Sequence, residues 1–290
     1  MKYNIPDQFM GKSLKELMKE EGKGSGEKPK TNGYNPELKN PEDYVLLEAK
    51  DYREMSYPDL LVCKYRLGAN ADVMQAGKTL GLDLTNTATE ENRRGYAGDM
   101  NWKQALTINS LLGGRTANLR QFVDFLKLLK SGKAFNAKGD KIDSKELENI
   151  LNEIIQIRAS WRSEWIDGDF KTKEINEENI VYLNSNHILQ NGVLIPQYSE
   201  VLKDYLNLDK TPGIDFDKWI DNATEQGMPR ANIKKGQLYY WAPNLDNNSV
   251  SRFDANSDRA DLYCYRDPSD SYSHLGVRAV RLAKGAVAQK

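Results

Sequence analysis

Residues 252–281 read RFDANSDRADLYCYRDPSDSYSHLGVRAVR, and the spacing inside this stretch decides how the rest of the chain is understood. In steps of two, Asp261, Tyr263 and Tyr265 alternate with Ala260, Leu262 and Cys264, which predicts a strand with one buried and one exposed face. The same alternation sets Asp254, Asn256 and Asp258 against Phe253, Ala255 and Ser257, and Asp270, Tyr272 and His274 against Ser269, Ser271 and Ser273. Small or apolar residues hold one parity, and chemically diverse residues hold the other. Leu275 to Arg281 then reads as a regular closing strand, with Leu275, Val277 and Ala279 on one face and Arg278 and Val280 on the other.

The composition around this stretch is as informative as its alternation. From Ala242 to Ala283 there is no Lys, Glu, Gln, Met or Trp. Those five types make up roughly a quarter of the chain, so independent counting gives such a gap a chance on the order of one in ten thousand. A buried sheet also loses Lys, Glu and Gln, but it fills with Val, Ile and Leu. Here Asp, Ser, Asn, Arg and Tyr take their place.

Upstream, Tyr44–Leu47 reads as a strand, and residues 57–63 as a strand or the start of a helix. Residues 102–112 and then Leu119, Phe122, Val123, Phe125, Leu126 and Leu129 have helical spacing, joined by a turn at Gly113 and Gly114. Residues 133–142 read as a hairpin. Asp143 or Ser144 caps a helix carrying Leu147, Ile150, Leu151, Ile154, Ile155 and Ile157 and extending toward Trp165. Short strands follow at Ile180–Leu183 and Gly192–Pro196, with a further helical piece opening at Phe216. The distribution is α+β, with helices in the first two thirds and an irregular antiparallel sheet at the C-terminal end. Residues 1–42 form a polar, loosely ordered lead with a short helix at Ser13–Glu21, and residues 43–290 form the domain.

With 41 basic against 42 acidic residues there is no global field to gather phosphates, so nucleic acid is not an expected partner. Cys63 and Cys264 are read as free thiols rather than a disulfide. The N-terminus has no apolar signal region and no run of ~18 apolar residues occurs, so neither export nor direct membrane insertion is expected. A protein carried on a virion or a cell surface through other subunits would need neither.

Several motifs tempt and fail. Gly77-Lys78-Thr79 lacks the earlier glycine of a phosphate loop, where Asp72 stands. Asp167-Gly168-Asp169 lacks the ligand spacing of a calcium loop and reads as a polar helix-ending turn. His187 and His274 are the two histidines, each read as a surface or satisfied side chain rather than a metal ligand or a catalytic base. Trp102, Trp161, Trp165, Trp219 and Trp241 are assigned to core packing. No catalytic residue, metal or cofactor is expected.

The segment from Arg252 to Arg281 resembles the C-terminal repeat of variable proteins diversified by diversity-generating retroelements, especially those of archaea and their viruses. The similarity is strong over residues 239–282 and looser upstream, where Trp102 to Leu126 is similar to the paired helices of that family. The resemblance implies a C-type-lectin-like fold, with Leu275 to Val280 similar to the last strand of its formylglycine-generating (sulfatase-modifying factor) branch. It also implies adenine-directed mutagenesis, which acts on the first two bases of AAY codons and cannot produce Lys, Glu, Gln, Met or Trp. All five are absent from residues 242–283, as are Thr and Ile.

Carried over position by position, the resemblance makes residues 242–281 a variable region in a non-catalytic display protein. Asp254, Asp258, Arg259, Asp261, Tyr263, Tyr265, Arg266, Asp267, Asp270, Tyr272 and His274 become the diversified, ligand-facing residues. Asn244, Asp246, Asn247 and Asn256 are weaker candidates, because a fixed turn explains them equally well. Trp241, Phe253, Leu262, Cys264, Pro268, Leu275, Val277 and Val280 would be the constant scaffold. The implied partner is a protein or cell-surface molecule bound through tyrosines, which give rigid contact area at low entropic cost. Three alternatives stand beside this one: a lectin-like interaction protein of fixed sequence, a calcium-dependent sugar lectin, and a formylglycine-type oxidase. The second lacks the Glu-Pro-Asn, Gln-Pro-Asp and Trp-Asn-Asp signatures, and the third needs two nearby cysteines where this region offers Cys264.

Overall fold

The computed structural model describes residues 8–9, 12–13, 40–53, 55–87, 95–175, 177–244 and 248–283. The chain divides into two compact units, Met1–Glu37 and Leu38–Lys290. In the first, Gln8–Phe9 pairs antiparallel with Lys12–Ser13. The helix expected at Ser13–Glu21 lies, apart from Ser13, outside the described residues.

The second unit is α+β. One sheet contains β1 (Tyr44–Leu47), β2 (Leu60–Cys63), β3 (Arg115–Thr116) and β12 (Ala279–Leu282) in the order β1-β2-β12-β3, all antiparallel. The larger sheet is built from β4 (Arg162–Ile175), β5 (Glu178–Ser185), β6 (Tyr198–Val201), β7 (Lys210–Ile214), β8 (Leu238–Trp241), β9 (Ser249–Ala255) and β10 (Ala260–Arg266) in the order β6-β5-β4-β9-β10-β8-β7. A further strand, β11 (Leu275–Val277), pairs parallel with the start of β4. This sheet is mixed rather than antiparallel throughout, because β8 also runs parallel to β10.

Five α-helices occur among the described residues: α1 (Ala71–Thr79), α2 (Trp102–Leu111), α3 (Leu119–Lys130), α4 (Ser144–Ile155) and α5 (Phe216–Asn222). The last lies past the first two thirds of the chain, correcting the expected segregation: Asp215 caps it and Trp219, fully buried, anchors it. Asn101 with Gln104 and Asn118 with Gln121 close reciprocal capping boxes that start α2 and α3.

The helix expected to extend toward Trp165 stops at Ile155. Gln156 turns extended, and the buried Arg162 guanidinium donates to the carbonyls of Glu153, Gln156 and Ser160, satisfying acceptors that a longer helix would have used internally. The following segment becomes strand β4. Asp167-Gly168 is accordingly no helix-ending turn but part of a bulge in β4, where the register with β9 shifts between Trp165 and Asp169. A Cβ on Gly168 would lie 2.4 Å from Ser251 Oγ, so glycine is what lets the two strands close there.

The residues expected to form a single closing strand divide at Arg278: β11 belongs to the larger sheet and β12 to the smaller. Arg278 bridges the break by pairing with Glu164 at 3.0 Å and donating to the Cys63 carbonyl at 3.0 Å.

One core lies between the larger sheet and helices α3, α4 and α5, with Phe253 packed on Phe122 and Trp219. A second cluster holds Trp102 and Ile108 of α2 against Trp165, Val250, Leu275 and Val277. Cys264 is buried and Cys63 partly buried, both as free thiols. No helix among the described residues is long and apolar enough to cross a membrane.

Candidate binding surface

Register assembles the site. Opposite Trp165 on β4 stands Arg252 on β9, opposite Arg252 stands Tyr263 on β10, and beside Tyr263 runs Trp241 on β8. One step along, Ser163, Asp254, Asp261 and Tyr239 form a second row on the same face. The opposite face carries Phe253, Leu262 and Tyr240 into the core, so the alternation read from the sequence assigns the faces of β9 and β10 as the structure has them.

Exposure does not follow parity. Asp254, Asp261 and Tyr263, expected to face solvent, are 1%, 0% and 4% exposed. Neighbouring side chains cover them: Arg252 pairs with Asp254, Arg259 and Trp241 bind Asp261, and Trp241 and Arg266 lie against Tyr263. Residues 267–274, expected to continue the alternation as a strand, form a loop with turns at Pro268–Ser269 and Ser273–His274, and this loop brings Asp270 and Tyr272 over the sheet. The three residues are the floor of the site.

Its chemistry is aromatic and guanidinium-rich. Trp241 stacks on Tyr263 at 5.8 Å between centroids and meets Tyr265 at 5.6 Å. A second group stacks Trp161 on His274 at 3.8 Å and His274 beside Tyr272 at 5.3 Å. Between the groups lies Arg252, whose guanidinium is 5.4 Å from the Tyr263 ring and 5.9 Å from the Tyr272 ring. It donates to Asp254 at 2.7 Å and reaches Asp270 at 3.5 Å. Arg259 holds Asp261 at 3.0 Å and lies over the Tyr239 ring, while Trp241 Nε1 donates to the same carboxylate. Arg266 lies 3.9 Å above the Tyr263 ring.

Burial shapes the titration of the site. It raises the Asp254 carboxyl above the usual carboxylate range despite Arg252, and it raises the Tyr263 phenol despite Arg259 and Arg266. Burial, with the charges of Arg252 and Arg66, brings His274 down to about 4, so it stacks as a neutral imidazole near pH 7. Asp267 is held below its ordinary value by the amide and hydroxyl of Ser269.

Of the expected site residues, Arg259, Tyr265, Arg266, Asp270, Tyr272 and His274 come together on or beside this surface with part of their area open, and Asp258 is exposed at the β9–β10 turn. Asn256 is that turn's keystone, its Oδ1 accepting from the amides of Asp258 and Arg259. Asp267 is exposed but engaged in its own turn, and Asn244 is exposed beyond β8. Asp246 and Asn247 lie outside the described residues.

Trp161 and Trp241, assigned to the core by sequence, belong to the surface instead: Trp161 is 41% exposed and Trp241 partly so, whereas Trp102, Trp165 and Trp219 are buried. Tyr239 and Arg252 were not singled out either. Arg252 shares the parity of Asp254 and could have been found by extending that alternation one step. Trp161 has no comparable signal, since the loop that brings Tyr272 and His274 to it is distant in sequence.

The other histidine, His187, is buried and bound at both Nδ1 and its backbone N by Asp167, edge-on to Trp102. It is a satisfied interior side chain. Among the described residues no group of three or more His, Cys, Asp and Glu side chains is arranged to hold a metal ion. Comparison with protein-family models, curated proteins and solved structures returned no match.

Proposed function

We propose that this chain is a non-catalytic binding protein of C-type-lectin-like fold that takes a ligand on the surface formed by Trp161, Trp241, Tyr265, Arg266, Tyr272 and His274, and that retroelement mutagenesis diversifies the open part of that surface. The observation that carries the reading is a coincidence. The segment lacking Lys, Glu, Gln, Met and Trp is the one that supplies β9, β10 and the overlying loop. The partly exposed tyrosines offer rigid contact area, and the arginines offer directional donors, a composition suited to binding-site centres.

The geometry narrows the set of residues that can vary freely. Asp254 is locked to the buried Arg252, so its replacement leaves a buried charge unsatisfied, and Asp261, itself buried, is held by Arg259 and Trp241. Asp258, Tyr265, Arg266, Asp267, Asp270, Tyr272 and His274 have open area into which other side chains can extend, whereas Arg259, though partly open, is tied to the buried Asp261. The buried pairs favour a second reading, in which the same surface binds one partner with a fixed sequence.

Sequencing the genomic neighbourhood separates the two. Under the first reading it holds a reverse transcriptase gene and a near-copy of the codons for residues 242–281 that differs only at adenines, with differences falling in the open positions. Absence of both returns the weight to the fixed surface.

A further inference from the structure

We infer that Thr87, Tyr96 and Gly98 are positioning residues of the binding surface, setting where the loop of residues 267–274 presents Tyr272 and His274. The inference rests on the reading that this loop faces a ligand. All three residues lie outside the segment that lacks Lys, Glu, Gln, Met and Trp. Under the display reading they stay constant while the loop changes.

The loop is gripped by its main-chain carbonyls. Trp102 N donates to Pro268 O at 3.2 Å, Asp99 N to Tyr272 O at 3.0 Å, and Ser163 N to His274 O at 3.0 Å. Two side chains complete the grip: Thr87 Oγ1 donates to Ser273 O at 2.5 Å, and the buried Tyr96 hydroxyl donates to His274 O at 2.8 Å. Every residue type carries such a carbonyl, so these bonds are indifferent to the loop's side chains. Among the described residues, Asp270 is the one loop side chain with a hydrogen bond beyond the loop, to Arg252 at 3.5 Å.

Gly98 sets the distance. Thr85–Thr87 pairs antiparallel with Tyr96–Gly98, and this ribbon is tied to β11 through Leu67, whose carbonyl accepts from Ala97 N and whose amide donates to Val277 O. A Cβ on Gly98 would lie 1.9 Å from Ser273 O and 2.6 Å from Ser273 C, so backbone rests on backbone here. Reaching an ordinary contact of about 3.5 Å needs a withdrawal of roughly 1.5 Å by the loop or the ribbon. The ribbon is anchored to a strand buried along its whole length, whereas the loop is partly open, so the loop is the part that gives. Tyr272 and His274 move with it, and their stack on Trp161, now at 6.2 and 3.8 Å, loosens.

Crystal structures of three full-length variants, with fluorine spectra of 5-fluorotryptophan protein in solution, test this. The Trp161 signal is assigned by its loss in Trp161→Phe, and the Trp219 signal by its loss in Trp219→Phe. The first variant replaces the loop's side chains together (Asp270→Ser, Ser271→Asn, Tyr272→Ser and Ser273→Asn). Its main chain over residues 267–274 is expected to stay within about 0.5 Å of wild type after superposition on β4, β9 and β10. Gly98→Ala should displace that main chain by more than about 1 Å and move the Trp161 signal, while the Trp219 signal of the core stays in place. Thr87→Val/Tyr96→Phe removes two donors without adding bulk; it should move the Trp161 signal with Trp219 again unmoved, and it decides the matter if Gly98→Ala does not fold. A loop that shifts when its side chains are replaced, a loop that stays in place in Gly98→Ala, or an unmoved Trp161 signal in the double variant would each overturn the assignment. Adenine-confined codon variation with an unmoved loop in Gly98→Ala would retain the display reading and reject this one. Fixed codons with a displaced loop would do the reverse.

Discussion

Removing Arg252 tests the floor of the site most directly. Arg252 and Asp254 are both 1% exposed in their side chains and joined at 2.7 Å, so Arg252→Met leaves a carboxylate in the interior without its ion-pair partner, with the Ser163 hydroxyl and the charge of Arg266 nearby. Breaking a buried pair from one side costs about 3–5 kcal/mol. At roughly 2–4 °C per kcal/mol for a unit of this size, the midpoint of thermal unfolding falls by about 6–20 °C at pH 7.

The deficit should shrink with acid, and the sign follows from linkage. Burial holds Asp254 above 3.8 in the folded state, and Arg252 opposes that rise, so its removal raises the carboxyl further. The folded variant then binds a proton that the unfolded chain does not, and between 3.8 and the raised value stability increases as pH falls. His274 contributes in the same direction: Arg252 is one cause of its depression to about 4, and without Arg252 the folded state accepts the histidine proton more readily. Urea unfolding of wild type, Arg252→Met and Arg252→Met/Asp254→Asn at pH 7 and pH 5 separates the two. The double variant should recover about 2 kcal/mol at pH 7 and keep only the His274 share of the pH dependence. A single-variant deficit equal at both pH values, or no recovery on neutralising Asp254, would refute the buried-charge argument.

Three further outcomes follow from the same geometry. Tyr263→Ala, at a 4% exposed position packed by Trp241, Tyr265 and Arg266, should cost about 3 kcal/mol in urea unfolding, against under about 1 kcal/mol for Tyr272→Ala at 40% exposure; equal costs would show that Tyr263 is not part of a packed floor. The wild-type protein should lose stability as pH falls from about 6.5 toward 4, because folding holds His274 neutral where the unfolded imidazole charges, and His274→Phe should flatten that part of the pH profile measured by thermal unfolding. Gly168→Ala should cost about 1–3 kcal/mol because its Cβ meets Ser251 Oγ at 2.4 Å, and pairing it with Ser251→Gly should return part of that loss in the same assay.

The parts of this fold that were legible in sequence are those fixed by local chemistry. The helices at Trp102–Leu111 and Leu119–Lys130 follow from apolar spacing, and Asp143, read as a cap, caps α4 with its side chain on the Lys145 amide. The faces of β9 and β10 follow from period two alone. What sequence could not supply is what covers each face. A polar residue at an outward parity is exposed only if nothing crosses above it, and here the turns within residues 267–274 carry Asp270 and Tyr272 back over Arg252. The end of α4 was hidden for a related reason, since apolar spacing continues to Ile157 while the stop comes from Arg162, which is beyond the helix and captures its carbonyls.

The same distinction bears on how such a surface could vary. The buried Arg252–Asp254 pair lies within β9, and Trp241 ties β8 to the buried Asp261 of β10, which Arg259 also holds; none of these hydrogen bonds involves Tyr265, Tyr272 or His274. Replacing an outer residue changes the contact chemistry at a cost limited by its partial exposure. Replacing an inner one strands a charge in the interior. A site that varies its ligand while keeping its fold has to draw its changes from the first group, which is why the stability costs at Tyr263 and Tyr272 should part company.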